Sequence, residues 1–170
     1  MRSVTGDGAA LEALYRSSRD DVYAYVLGLL GDPAAAEDVT ALAFERVLSR
    51  RSSFDRARGG LRPWLFGIAR NAALDELRRR RHLTRLELDP ADGELEATAE
   101  DDGEVLLRRT AVRTALAELP ARDRELIALK FHAGLSHAEI ARVLGISESN
   151  AGTQLHRAIT KLREAVNVTA

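Results

Sequence analysis

An acidic strip divides this sequence into two parts. Residues 83–104 carry nine acidic side chains and one arginine, a net charge of −8, and only four large aliphatic side chains, all leucine. A segment of this composition buries too little apolar surface to form a core, which is typical of a flexible linker. Residues 1–82, with a net charge of +3, and residues 105–170, with a net charge of +4, are therefore predicted to be two small domains.

Apolar side chains recur at helical spacing in both predicted domains. Between residues 11 and 30 they fall at steps of three, four and one, which indicates one face of a long amphipathic helix. Asp32 and Pro33 suit the N-cap and the first residue of the next helix. Strand patterns are weak throughout, so the predicted fold class is all-α: two small helical domains joined by an acidic flexible linker. The helices are predicted near residues 11–30, 33–50, 63–81, 104–118 and 120–131.

The sharpest local motif lies in the last third of the chain. Ser136 and Glu139 form the pattern of a capping box, which starts a short helix. Gly145 suits a tight turn with positive φ, and Ser147 suits the N-cap of a second helix. This pattern predicts a helix-turn-helix, with an ordinary helical hairpin as the alternative.

The second helix of this motif has two chemically distinct faces. At about 100° per residue, Ser149, Asn150, Thr153, Gln154 and Arg157 share one side, and apolar residues share the other. Amide, hydroxyl and guanidinium groups are the types that bind base edges and phosphates. The face is therefore predicted to bind DNA, although a solvated helix surface has the same composition.

Arginines and aromatic residues cluster in the first domain, in a glycine-containing loop and the helix after it. Such a surface is typical of proteins that bind single-stranded nucleic acid, because aromatic side chains can stack on the bases and arginines can bind the phosphates. For Trp64 the core is the favoured interpretation, whereas the arginines are predicted to contact phosphates. The polar members of this set are Arg56, Arg58, Arg62, Arg70, Asn71 and Arg78–Arg81.

Two stretches of the chain resemble regions 2 and 4 of bacterial RNA polymerase sigma factors. The resemblance to region 2 rests on Ala36–Thr40, Phe44–Val47, Phe54, Gly59, Trp64–Asn71 and Asp75. The resemblance to region 4 rests on Leu119–Phe131, Gly134–Ala141, Leu144–Ser147 and Leu155–Ala158. Only these two regions are present, which resembles the layout of the extracytoplasmic-function group. A sigma factor directs core RNA polymerase to promoters and initiates transcription.

The resemblance implies three sets of binding residues. Contact with core RNA polymerase is expected from Asp38, Val39, Leu42, Phe44 and Glu45. Opening and binding of the −10 element is expected from Phe54, Arg56, Arg58, Arg62, Arg70, Asn71 and Arg78. Binding of the −35 element is expected from Ser147, Glu148, Ser149, Asn150, Thr153, Gln154 and Arg157. The acidic linker would pass near the RNA path, and a separate anti-sigma factor is an expected partner.

Two positions depart from the family pattern. Ala41-Leu42 stands where a glutamine and an acidic residue are usual, so the polar contacts with the polymerase are either missing there or replaced by an apolar contact. Gly152 stands where a lysine is usual, which either permits closer approach to DNA or loses a phosphate contact.

Other classes of protein fit the sequence less well. The chain has no cysteine, no N-terminal signal-peptide pattern and no run of about 18 apolar residues, so a cytoplasmic protein without membrane insertion is expected. Neither the His132–His137 pair nor Gly59-Gly60 matches a metal or phosphate-loop motif, so no enzyme activity and no cofactor are expected. The main alternative is a helix-turn-helix regulator that binds duplex DNA without polymerase. A sigma-like protein that binds no DNA is a second alternative.

Overall fold

The computed structural model of the chain describes residues 4–84 and 103–169, and all regular elements in these residues are helical. The fold class is therefore all-α, as predicted. Two short 3₁₀ turns, Arg51–Ser53 and Arg56–Arg58, occupy the loop before the third helix. The α-helices are α1 (Val4–Leu30), α2 (Pro33–Ser49), α3 (Leu61–Thr84), α4 (Gly103–Glu118), α5 (Ala121–Phe131), α6 (His137–Leu144) and α7 (Glu148–Thr169).

The predicted acidic linker lies mostly outside the described residues. Helix α3 ends at Thr84 and α4 begins at Gly103, so helical residues extend into both ends of the segment 83–104. Residues 85–102, the rest of that segment, are outside the described part of the chain.

The connection between α1 and α2 forms as the local sequence predicts. Gly31 adopts a φ of 67°, which favours glycine. The Asp32 carboxylate accepts hydrogen bonds from the backbone N–H groups of Ala34 and Ala35, at 3.0 and 3.3 Å. The Ala35 N–H first, and then the Arg80 guanidinium, hold the pKa of Asp32 below its usual range. This cap makes a short, sharp turn between two helices that pack together.

Helices α1, α2 and α3, the N-terminal unit, pack against one another. Their inner faces bury Val22, Val26, Val47, Leu65 and Ala69. In the C-terminal unit, α7 packs against α4, α5 and α6. Its core includes Leu126, Leu129, Leu135, Ile140 and Leu155.

The two units also pack against each other. Helix α1 contacts α5, and α3 contacts α6. Tyr25 of α1 is 1% exposed, and its ring meets the buried Phe66 ring edge to face at 5.5 Å between centroids. Buried apolar side chains of both units, such as Phe66 and Leu126, also belong to one core cluster.

Within residues 4–84 and 103–169, no helix combines the length and the apolarity needed to cross a lipid bilayer.

Candidate nucleic-acid interface

The predicted helix-turn-helix forms from α6, a tight turn and α7. Ser136 Oγ accepts a hydrogen bond from the Glu139 N–H at 3.2 Å, and Glu139 Oε2 accepts one from the Ser136 N–H at 2.8 Å. The capping box is therefore complete. Gly145 adopts φ 67° and ψ 36°, the left-handed conformation that ends α6, and the Ile146 N–H donates to the Ala141 carbonyl at 3.0 Å. Three local sequence signals thus fix the angle at which α7 begins.

Helix α7 divides into a buried face and an exposed face, as its periodicity predicts. Ala151, Leu155 and Ala158 are buried against the rest of the C-terminal unit. Ser147 Oγ accepts from the Asn150 N–H at 3.2 Å and starts the helix. Among the residues predicted to bind the −35 element, one is half-buried, Gln154. The others are exposed: Ser147, Glu148, Ser149, Asn150, Thr153 and Arg157.

Two amide side chains on this face are hydrogen-bonded to each other. Gln154 Nε2 donates to Asn150 Oδ1 at 2.9 Å, across one turn of the helix. This bond uses Gln154 Nε2 and Asn150 Oδ1, so the Asn150 amino group and the Gln154 carbonyl oxygen can still bind a ligand. A neighbouring donor and acceptor match the edge of a base such as adenine in the major groove.

Gly152 lies against the ring of His137, a contact that the sequence alone does not reveal. A Cβ atom built at Gly152 would lie 3.4 Å from His137 Nδ1, which is an ordinary van der Waals contact. His137 is the first residue of α6 and is exposed. The two helices of the motif therefore meet at this position beside the predicted DNA-binding face.

The arginine loop of the N-terminal unit is open to solvent. The Asp55 carboxylate accepts from the Ala57 N–H at 2.9 Å and caps the turn that carries Arg56 and Arg58. Both arginines are exposed, and the Arg58 guanidinium is 90% exposed at 3.7 Å from Asp55. Phe54 packs against Trp64 at 5.0 Å between ring centroids. This pair anchors the base of the loop, because Trp64 is half-buried against the core.

The remaining residues predicted to bind the −10 element fall into two groups. Asn71 and Arg78 lie on exposed positions of α3, and Arg78 bonds Asp75 at 3.2 Å. Arg62 and Arg70 instead bond groups within the protein, including groups of the C-terminal unit. The structure therefore leaves only part of the predicted set, Arg56, Arg58, Asn71 and Arg78, open to solvent.

An ion-paired cluster supports α3 next to this surface. Glu76 accepts hydrogen bonds from Arg79 at 2.7 and 2.8 Å and from Arg80 at 2.8 Å. These bonds, Arg79 first, lower the pKa of Glu76 from its usual value near 4.5 to about 2. Arg80 also bonds the Asp32 carboxylate at 2.7 Å, so it ties α3 to the start of α2.

The residues predicted to contact polymerase divide by burial on α2. Asp38, Leu42 and Glu45 are exposed, and Leu42 is 36% exposed. Val39 is 5% exposed and belongs to the core. Phe44 is half-buried, with its ring edge to face against Tyr15 at 4.9 Å. The exposed members form one short polar and apolar strip along α2.

Together, the fold and these surfaces define a helical nucleic-acid-binding protein of two units. The family profile of Sigma-70 region 2 matches residues 14–83, and that of Sigma-70 region 4 matches residues 109–162. Together these two matches cover more than half of the chain. Sequence similarity to individual sigma factors extends over nearly all of it. The chain belongs to the sigma-70 family of RNA polymerase sigma factors, in the extracytoplasmic-function (ECF) group, and directs transcription initiation with RNA polymerase.

The chain is similar to two ECF sigma factors over almost its whole length. It is 34% identical over 167 residues to the ECF RNA polymerase sigma factor SigL of Mycobacterium tuberculosis, covering 96% of this chain and 94% of SigL. It is 34% identical over 165 residues to the ECF RNA polymerase sigma factor BldN of Streptomyces coelicolor, covering 95% of this chain and 62% of BldN.

Two solved structures share the fold. The sigma factor RpoE, in complex with the anti-sigma factor NepR from Bartonella quintana, superposes with a TM-score of 0.78 at 22% identity, covering 92% of this chain and 96% of RpoE. CnrH, in complex with the cytosolic domain of CnrY, has a TM-score of 0.68 at 25% identity, covering 98% of this chain and 93% of CnrH.

Proposed function

We propose that this sigma factor binds promoters through two separate surfaces, one on each helical unit. The exposed polar face of α7 carries the proposal, because it follows a completely capped helix-turn-helix and has no apolar residue at its centre. The second surface is the arginine loop with the start of α3. A third surface, along α2, binds core RNA polymerase.

The −35 element is bound by α7 in the major groove. Asn150 and Gln154 supply amide groups to base edges, and each correct pair contributes about 1–3 kcal/mol of discrimination between bases. Arg157 lies two turns into the helix and holds a phosphate. Its removal weakens binding to all sequences nearly alike.

The −10 element is bound as single-stranded DNA by the arginine loop and α3. Arg56, Arg58, Asn71 and Arg78 are supported by their exposure on neighbouring elements. The three arginines neutralise phosphates of the non-template strand, and the neutral Asn71 amide supplies hydrogen bonds. The Phe54–Trp64 pair offers an aromatic surface at the base of the same loop. Arg62 and Arg70 join this set only when their internal bonds are broken.

Core RNA polymerase is bound through the exposed strip of α2, where Asp38, Leu42 and Glu45 lie. The clamp helices of the largest polymerase subunit are the expected partner. The protein acts by binding, without enzyme activity or cofactor, and works in the cytoplasm with the polymerase. A separate anti-sigma factor as its regulator is supported by the sigma factors RpoE and CnrH, whose structures were solved with NepR and with the cytosolic domain of CnrY.

The alternative is a helix-turn-helix regulator that binds duplex DNA without polymerase. Such a protein requires α6 and α7 for binding duplex DNA. It does not require an exposed arginine loop on a separate unit. The open positions of Arg56 and Arg58 favour the sigma-factor mechanism.

Permanganate footprinting of melted thymines tests the −10 assignment. We expect the triple variant Arg56→Ala/Arg58→Ala/Asn71→Ala to bind core polymerase normally and to lose most thymine reactivity at the −10 element. The slope of DNA affinity against salt should also fall by about one for each lost phosphate contact.

The matched control replaces Arg16 and Arg19, exposed arginines on α1 outside all three surfaces, by alanine. Normal melting by the triple variant would refute the assignment.

A further inference from the structure

A short segment just before the arginine loop has two arginines followed by two serines and a phenylalanine. Arg50 caps the C-terminus of α2, and Arg51–Ser53 form a 3₁₀ turn. The two arginines and both serines are exposed, and Phe54 is half-buried. These arginines and serines belong to none of the three binding surfaces proposed above, so the promoter and polymerase contacts do not account for them.

The Ser53 hydroxyl is held by a single turn of backbone. Ser53 Oγ donates to the Arg50 carbonyl at 2.7 Å, and the same oxygen accepts from the Ser53 N–H at 2.9 Å. The next backbone bond, from the Phe54 N–H to the Arg51 carbonyl, is longer, at 3.2 Å. No residue of the turn is buried. A turn with few bonds and no core contact opens locally at a low free-energy cost, and an enzyme can then bind it in an extended form.

The two arginines carry charge that the described part of the protein does not neutralise. Arg58, in the same loop region, lies 3.7 Å from the Asp55 carboxylate. Within residues 4–84 and 103–169, no such ion pair forms at Arg50 or Arg51. Their guanidinium groups can therefore pair with carboxylates of another protein, in bonds that are strong and geometrically specific. Protein kinases select their substrates by charge patterns of this kind.

We propose that Ser53 is a phosphorylation site for a protein kinase that recognises arginine at two and three positions before the acceptor serine. In the reaction, Ser53 Oγ attacks the γ-phosphorus of a nucleoside triphosphate. The Oγ–P bond forms, the bond between that phosphorus and the β-phosphate oxygen breaks, and the nucleoside diphosphate leaves. The hydroxyl proton passes to a base of the kinase. Ser52 does not have this spacing, because Ser49 stands three positions before it.

A phosphate on Ser53 lowers the positive charge of the arginine loop. Residues 50–58 carry four arginines and one aspartate, a net charge of +3. Phosphoserine adds about −1.5 to −2 at pH 7, so the net charge falls to about +1. Arg56 follows Ser53 by three residues, at most about 11 Å along the chain, close to the range of charge interactions in physiological salt. The phosphate therefore competes with DNA phosphates for Arg56 and weakens binding of the −10 element, a consequence that rests on the proposed function.

Phosphorylation of the full chain in vitro tests the site. The probe is a purified serine kinase with a peptide specificity for arginine two and three positions before serine, together with magnesium ATP. We expect one phosphoryl group per chain, located at Ser53 by tandem mass spectrometry. Ser53→Ala should abolish incorporation, whereas the matched control Ser52→Ala, at the neighbouring exposed serine, should retain it. Arg50→Ala/Arg51→Ala should lower kcat/KM of the kinase at least about tenfold, because both guanidinium contacts are lost.

Circular dichroism checks that each variant keeps its helices. No incorporation into the folded chain, or equal incorporation into Ser53→Ala, would overturn the assignment. The same mass-spectrometric mapping, applied to the chain purified from the cells that produce it naturally, tests whether the site is used. We expect phosphate at Ser53 in at least one growth condition. An unmodified Ser53 in exponential growth, starvation and stress alike would overturn the proposal.

Binding of a single-stranded −10 oligonucleotide tests the consequence separately. The phosphorylated chain should bind at least about fivefold more weakly than the unmodified chain at low salt, and the slope of affinity against salt should fall by about one. Failure of the unmodified chain to bind would contradict the proposed −10 surface and not the modification site. Equally tight binding by both forms would contradict the regulatory effect of the phosphate.

Discussion

Replacing Gly152 by alanine should stabilise the protein. Glycine in the middle of a helix is less favourable than alanine by about 1 kcal/mol. The added methyl group would lie 3.4 Å from His137 Nδ1, 3.7 Å from Cε1 and 4.0 Å from Cγ, all ordinary contact distances. No steric cost therefore offsets the gain in helix propensity, and we expect about 1 kcal/mol of added stability. For a cooperative unit of 150–250 residues this corresponds to an increase in Tm of about 2–4 °C.

Denaturation by urea and by heat, followed by circular dichroism, measures this gain. The same substitution in a His137→Ala background is the control, because it removes the imidazole ring that the new methyl group would contact. The gain should be equal or slightly larger there. A loss of stability in the original background that disappears with His137→Ala would refute the steric reasoning.

The same variants separate the two roles predicted for Gly152 in promoter binding. Because the new Cβ atom points at His137, we expect Gly152→Ala to change −35 affinity by less than about twofold, well under the 1.4 kcal/mol of a tenfold effect. Gly152→Lys should then restore a phosphate contact and raise affinity for every promoter alike. Weaker binding by both variants would show that α7 needs a bare backbone at this position.

Three further predictions concern other surfaces. Leu42→Asp should weaken binding to core polymerase in a pull-down assay without loss of thermal stability, because Leu42 is 36% exposed. The matched control is Leu48→Asp, an exposed leucine on the same helix about 120° away. Asn150→Ala and Gln154→Ala should each change which −35 bases are tolerated in a promoter-library assay. Their effects on binding free energy should not add in the double variant, because the two amides are hydrogen-bonded at 2.9 Å. Unchanged base preferences would exclude direct contact of these side chains with the bases. Glu76 has a folded-state pKa lowered to about 2, so its ion pairs should contribute stability above pH 4.5 that is lost as the pH falls toward 2; Glu76→Gln should flatten acid denaturation in that window.

Features encoded by neighbouring residues were predictable from the sequence. The capping box at Ser136, the left-handed Gly145 and the two faces of α7 depend on residues within a turn or two of each other. Each is confirmed in the structure, because helix caps and helical periodicity are local properties.

Features that depend on distant partners were not predictable in the same way. Arg62 and Arg70 have the sequence signature of exposed phosphate ligands, yet their partners lie 71 and 55 residues away along the chain. Glu125 is followed by apolar residues in an ordinary amphipathic helix, and nothing near it in sequence indicates burial against Tyr25. The contact of Gly152 with His137 likewise depends on how α6 and α7 cross.

Transcription reconstituted from purified core RNA polymerase, this chain and a promoter library tests the central claim most directly. The account predicts initiation at sites that share a −10 and a −35 element at fixed spacing, with none of these sites used by core polymerase alone. Initiation no higher than that of core polymerase alone, together with binding of the chain to duplex DNA by itself, would contradict it and would support a regulator that acts without polymerase.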